Sequence, residues 1–161
     1  MGKIGQPHVV AGSLILVLVA VNAYLYWRNT LYQPPRVVVQ LTKMMGSTWP
    51  NDQPTYEVVI YSDGTVTYKG WSHVAVPGQK VTWIRVGQLE EIIATAEQLG
   101  FFQMEDPPKN IVDELPNKVI TIAQDGRSHT VRIYTYSTAE LSALEAKIDQ
   151  VVNSAQWVAG Q

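Results

Sequence analysis

Residues 55–70 read TYEVVIYSDGTVTYKG, and the way this stretch turns decides the fold. Both halves are rich in β-branched and aromatic residues, which suit a pleated, half-buried surface, and Asp63-Gly64 between them is a strong short-range hairpin signal. A two-residue type I′ turn there, with φ above zero at both central residues, sets Ser62 opposite Thr65. Tyr61 then pairs with Val66 and Val59 with Tyr68 on the face expected to be the core, while Thr67 and Lys69 line the other.

Upstream, RVVVQLTK (residues 36–43) is β-branched enough for a further strand, and MMGSTWPNDQP (44–54) is a loop rich in Gly, Pro and Asn. Downstream, His73 to Val76 and Lys80 to Val86 read as strands around Pro77-Gly78. Gln88 to Leu99 places Leu89, Ile92, Ile93, Ala96 and Leu99 at helical spacing, with Gly100 as the C-terminal stop. The pattern then returns. Strands Lys118 to Ala123 and Ser128 to Tyr136 flank Asp125-Gly126, and a helix starts at Ser137 with Glu140 three residues on, a capping box. The buried stripe of that helix is Leu141, Leu144, Ile148, Val151 and Val152. Hairpin then helix, twice over, suggests a degenerate internal duplication, with coincidence of two common Asp-Gly turns as the rival. Two amphipathic helices need one apolar sheet surface to cover. The expectation is therefore an α+β domain over residues 36–158, a mostly antiparallel sheet of about five strands with two helices on one face, and a short tail at 159–161.

The N-terminal fifth is of another kind. From Ile4 to Trp27 there is no Lys, Arg, Asp or Glu. A helix of ~20 apolar residues at ~1.5 Å rise crosses the ~30 Å hydrocarbon core. Tyr24, Tyr26, Trp27 and Arg28 gather at its C-terminal end, where amphipathic rings and a cation favour the headgroup layer, so these four are the expected membrane-interface anchors. Val21-Asn22-Ala23 offers small residues at signal-peptidase spacing behind a minimal basic head at Lys3, but the apolar run exceeds the ~7–15 residues of a secretory core. Residues 1–30 are thus expected to be a short tail and a retained single transmembrane helix, followed by a stiff spacer, 31–35, containing Pro34-Pro35. Within the helix Gly12, Ser13 and Asn22 are the candidate contacts to partner helices, since small residues admit close approach and Asn can hydrogen-bond across; a purely lipid-facing helix is the competing reading.

Charge narrows the partners. All fourteen acids lie at or beyond Asp52, and residues 52–161 hold eight Lys or Arg against them, a net of minus six. Such a surface repels phosphate backbones, so nucleic acid is not an expected partner. The chain has no cysteine, which removes disulfides, thiolate metal sites and Cys nucleophiles and leaves the redox compartment open. The basic residues flanking the span, Lys3 against Arg28, Arg36 and Lys43, point the domain inward by a narrow margin, whereas a short basic head and a late-starting acidic domain point outward. The outward, extracytoplasmic placement is the one expected.

Four blocks in fixed order, YEVVIYSDGTVTYKG, LEEIIATAEQLGFF, KVITIAQDGRSHTVRIY and LEAKIDQVVNSAQW, resemble a bacterial family known only as a domain of unknown function. The resemblance runs from Val37 to Trp157. It implies an exported or membrane-anchored domain and no activity. Many members have a Cys-Gly-x-Cys-Pro-like loop before the first hairpin; here that loop is MMGSTWPNDQP, so a redox or metal role for it is not implied.

Candidate chemistry is thin. His8, at the start of the apolar run, is an interfacial imidazole or, on a sharper reading, a pigment or haem ligand. Ser72-His73 and Ser128-His129 are adjacent in strands, so their side chains point to opposite faces and neither pair makes a nucleophile with its base. His129 falls opposite Ile122 on the face of Ile120, Val131 and Ile133, the place of a satisfied sheet histidine rather than a base. Glu105, Asp106, Asp113 and Glu114 bracket FQMEDPPKNIVDELP without the spacing of a calcium loop and read as solvated. Gly-rich phosphate loops, HExxH and GxSxG do not occur.

No catalytic residue, cofactor, metal or small-molecule substrate is therefore expected. The function expected is that of a non-catalytic single-span accessory subunit of a larger membrane protein complex, such as a photosynthetic or respiratory one, with the bilayer as its other partner. The alternative is a membrane-tethered module that binds a peptide or envelope ligand through an exposed sheet edge.

Overall fold

The computed structural model describes residues 17–26, 34–44, 53–108, 117–134 and 137–158. The chain divides into two units, Met1–Pro34 and Pro35–Gln161. In the first, residues 17–26 are helical (α1), and Asn22 Nδ2 donates to the Leu18 carbonyl at 2.8 Å. Among the described residues no helix is long and apolar enough to cross a membrane. The expected span of residues 9–27 lies partly outside them, as do Gly12, Ser13, Trp27 and Arg28.

In the second unit β1 (Val37–Lys43) takes the middle of a six-stranded antiparallel sheet. On one side of it lie β2 (Thr55–Tyr61), β3 (Thr65–Ser72) and β4 (Gly78–Trp83); on the other, β5 (Lys118–Gln124) and β6 (Arg127–Ile133). The order is β4-β3-β2-β1-β5-β6, so the two hairpins flank β1. The sheet has one strand more than expected. The segment His73–Val76 is not a strand: His73 takes φ 55°, and the chain folds back so that the Val76 amide donates to the Trp157 carbonyl at 3.0 Å. Gly70 leaves room for that return, since a Cβ there would meet the Val76 carbonyl at 2.6 Å.

One face of the sheet carries Val39, Leu41, Tyr56, Val58, Ile60, Val66, Tyr68, Ile120, Ile122 and Val131, all fully buried. Against it pack α2 (Val86–Gln98) through Leu89, Ile92 and Ala96, and α3 (Ala139–Val152) through Leu141, Leu144, Ile148 and Val152. Both helices therefore cover one layer. Burying each such side chain stabilises by roughly 1.5–3 kcal/mol before entropy is charged against it. A 3₁₀ turn, Ser154–Gln156, then brings Trp157 onto Tyr68, ring centroids 4.8 Å apart and stacked. The helix caps differ slightly from the sequence reading. Thr138, not Ser137, caps α3 by accepting from the Leu141 amide, and Gln88 Oε1 accepts from the Arg85 amide at the start of α2.

The register of the first hairpin is shifted by one residue from expectation. Ile60 faces Val66 and Val58 faces Tyr68, so the residues of β2 on the helix-covered face are the even-numbered ones, and Val59, also buried, and Tyr61 lie on the other face. The cause is the turn. Asp63 keeps a negative φ and only Gly64 is left-handed (φ 85°), with the Gly64 amide donating to the Tyr61 carbonyl. That is a three-residue loop with glycine at its left-handed position, not a two-residue one. Neighbours hold it there: the Ser62 amide donates to the Arg36 carbonyl and the Ile84 amide to the Gly64 carbonyl. At the second hairpin both Asp125 (φ 50°) and Gly126 (φ 76°) are left-handed, and the two-residue register follows, with Ile122 opposite His129.

Candidate functional site

Lys43 closes β1 on the helix-covered face, across from Tyr56 on β2 and Lys118 on β5. Apolar packing ends at this row. Over it α3 brings Glu145 and Asp149, four residues apart and so on one side of the helix, next to the buried Leu144 and Ile148. Lys43 Nζ lies 2.7 Å from Glu145 Oε1 and 2.9 Å from Asp149 Oδ2, and Lys118 Nζ lies 2.7 Å from Glu145 Oε2. Asp149 Oδ1 accepts from the Tyr56 hydroxyl at 3.0 Å and from Ser154 Oγ at 2.7 Å. The Lys43 ammonium also stands 4.9 Å from the centre of the Tyr56 ring.

Charge states in this cluster follow from the geometry. Burial alone would lower the Lys43 pKa, but the Asp149 and Glu145 carboxylates outweigh it and raise it above the ordinary lysine range. Burial pushes the Tyr56 hydroxyl up to about 12, with Lys43 opposing and Asp149 adding. Glu145 is held below its ordinary value: burial acts upward, and the two lysines overcome it. Each group is thereby fixed in the state it has in neutral water. An ammonium held protonated is no nucleophile, and a phenol held protonated is no base. Two cations and two carboxylates balance, and the arrangement clasps α3 to three strands.

The other polar residues singled out in the sequence are engaged separately. His129 Nε2 lies 2.9 Å from the Met104 carbonyl, and its ring meets Phe101 edge-on at 5.3 Å, which makes it a satisfied sheet histidine. Ser72 Oγ lies 2.7 Å from Thr55 Oγ1, and His73 sits in the bend beyond it. Asp106 Oδ1 accepts from the Arg132 amide of β6 at 2.7 Å, while Asp113 and Glu114 lie outside the described residues. Among the described residues no three His, Asp or Glu come together as for a metal ion. On α1, Tyr24 and Tyr26 are exposed.

The clasp was not anticipated, although it left a sign in the sequence: Glu145 and Asp149 interrupt an otherwise apolar helix stripe, and Lys43 ends a strand with its side chain on the core face. The tryptophans divide. Trp157 is buried, whereas Trp71 and Trp83 stand exposed on the sheet face opposite α2 and α3. Val81 is exposed on the same face next to the Trp83 row, while Trp71 stands at the other end of β3, where Lys69 Nζ lies 5.8 Å from its ring centre. β4 is an outer strand, and among the described residues its far edge pairs with nothing.

These features define a two-layer α+β domain with a closed, ion-clasped helix side and an open sheet side. Residues 52–152, more than half of the chain, match the model of the family described as Domain of unknown function (DUF6438), and the chain belongs to that family. The match begins after β1 and takes in both hairpins and both helices of the domain. None of the curated proteins matches the chain.

Proposed function

We propose that the protein is a non-catalytic, single-span accessory subunit of a larger membrane protein complex, its α+β domain braced at the extracytoplasmic membrane surface. The observation that carries this reading is the charge-free run from Ile4 to Trp27, long enough for one crossing and closed by Tyr24, Tyr26, Trp27 and Arg28. The resemblance to exported or anchored bacterial domains agrees with it, and so does a polar cluster whose protonation states suit holding rather than reacting. Gly12 and Ser13 would let a neighbouring helix approach. Asn22, whose amide nitrogen turns back on Leu18, keeps its side-chain oxygen as an acceptor for a partner. The test exchanges residues 9–27 for an unrelated apolar span of equal length. Release of the protein from its complex on a native gel, with the domain still folded, is the expected result; retention refutes the packing role.

A second reading has its own support. At the β6 edge a carboxylate caps an outward amide, while the β4 edge stays open among the described residues, as a strand-adding peptide site would. Under that reading the span is a generic anchor and the swap changes nothing, whereas Val81→Pro in β4 abolishes binding.

A further inference from the structure

Most large apolar side chains of the domain are buried or half-buried; apart from Trp71 and Val86, the exposed ones gather at one end of the sheet. Trp83 is 70 % exposed, Val81 50 % and Val37 41 %. Register places them together. Val37 faces Tyr61, Trp83 faces Thr65, and Val81 faces Thr67 in the next row, so Val37, Tyr61, Trp83 and Val81 share the open face. That end of the sheet is where β1 begins, the point at which the chain arrives from residues 28–36.

We propose that Val37, Tyr61, Val81 and Trp83 form a membrane-contact patch that rests in the headgroup layer of the bilayer; this builds on the reading of residues 9–27 as a retained span. Tether length is the first argument. The segment 28–36, fully extended, reaches about 30 Å at most, so the start of β1 is always within that distance of the lipid surface. Side-chain chemistry is the second: Trp and Tyr combine an apolar body with a polar tip and collect at the membrane interface, and two valines beside them add area without charge. Charge is the third. Arg36 adjoins Val37, and Lys69 stands two rows along the same face, both suited to anionic headgroups. The carboxylates nearby are already held, Asp63 Oδ1 by the Thr65 amide at 2.9 Å and Glu57 Oε1 by Gln40 Nε2 at 2.7 Å. Two cations, Arg36 and Lys69, against two acids, Asp63 and Glu57, make the patch near neutral on a domain that is acidic as a whole.

The cysteine-free chain permits a clean test by single labels. The full chain carrying Trp83→Cys, Val81→Cys, Ala143→Cys on the exposed side of α3, or Leu18→Cys is labelled with an environment-sensitive fluorophore. Each is reconstituted into phosphatidylcholine–phosphatidylglycerol vesicles containing doxyl lipids. Labels at 81 and 83 should shift to the blue and be quenched by a shallow doxyl group several-fold more than the label at 143, with weaker quenching when phosphatidylglycerol is left out. The label at 18 should respond to a deep doxyl group. Deep quenching at 18 with water-like emission at 81 and 83 leaves the anchor standing and refutes the patch. No quenching at 18 refutes the tether and the patch with it. A label at 83 that is shielded but not quenched, with Trp83→Cys forming disulfide-linked dimers, assigns the surface to a second copy and overturns the proposal.

Discussion

The Lys43 ammonium bridges two carboxylates one helical turn apart, 2.7 Å from Glu145 and 2.9 Å from Asp149, so the middle strand of the sheet is bound ionically to the helix that closes the core. Removing the cation leaves Glu145 with Lys118 alone and Asp149 with no cation in a partly dry site. Lys43→Met should cost about 2–4 kcal/mol, somewhat under the range for breaking a fully buried pair because Glu145 and Asp149 keep 13 % and 15 % exposure. Urea unfolding would read this as a lower midpoint at unchanged slope. Adding Asp149→Asn to Lys43→Met should recover part of the loss, because Asp149 is the carboxylate left without a cation while Glu145 keeps Lys118.

The same cluster sets a pH window. Glu145 has its folded pKa depressed, so its contribution is complete above the ordinary carboxylate value and fades as pH falls through the folded one. Lys43 and Tyr56 have theirs raised; their contributions are complete below their unfolded values and fade as pH climbs, for Tyr56 between its ordinary 10.0 and about 12. Stability should hold level between about pH 5 and pH 9, falling on either side. In Tyr56→Phe the alkaline limb should flatten while the acid limb stays; melting temperature against pH would show it.

Much of the fold could be read in the sequence because it depends on local pattern. The two helices, the central strand and the second hairpin announce themselves through spacing of apolar residues and one turn. What escaped depends on contacts between distant segments. Asp63-Gly64 and Asp125-Gly126 are the same dipeptide, yet the first becomes a three-residue loop because Arg36 and Ile84 grip its backbone, and that moves every side chain of β2 to the other face. His73 to Val76 has strand-forming composition but is drawn off by Trp157, more than eighty residues on. The clasp likewise joins β1, β2, β5 and α3, which no short window contains.

The two turns can be told apart by one substitution in each. Gly126→Ala places a side chain at φ 76° in open space and should cost about 1–2 kcal/mol, the left-handed penalty alone. Gly64→Ala meets the same penalty at φ 85° and also drives its Cβ into the Ile84 carbonyl oxygen, so backbone must move. Its loss should exceed that of Gly126→Ala by at least about 1 kcal/mol, in the range typical of overpacking. Equal unfolding midpoints for the two variants would disprove the different geometries assigned to the turns.

The last prediction concerns the guarded edge. β6 is an outer strand, and the amide of Arg132 points away from its neighbour, where an incoming strand would pair with it. Asp106 occupies that amide at 2.7 Å, and its second oxygen lies 3.8 Å from the Arg132 guanidinium. The segment bearing Asp106 is held independently, through the Met104 carbonyl on His129, so a change at 106 need not release it. In Asp106→Ala, hydrogen exchange at the Arg132 amide should therefore rise at least tenfold. Exchange at Val131 and Ile133, which face Ile120 and Lys118 across the ladder, should hardly change. Asp106→Asn, which keeps an accepting oxygen, should restore much of the protection. Uniform acceleration along all of β6 would mean that Asp106 fastens the whole strand rather than capping one amide, and the edge-guarding role would have to be given up.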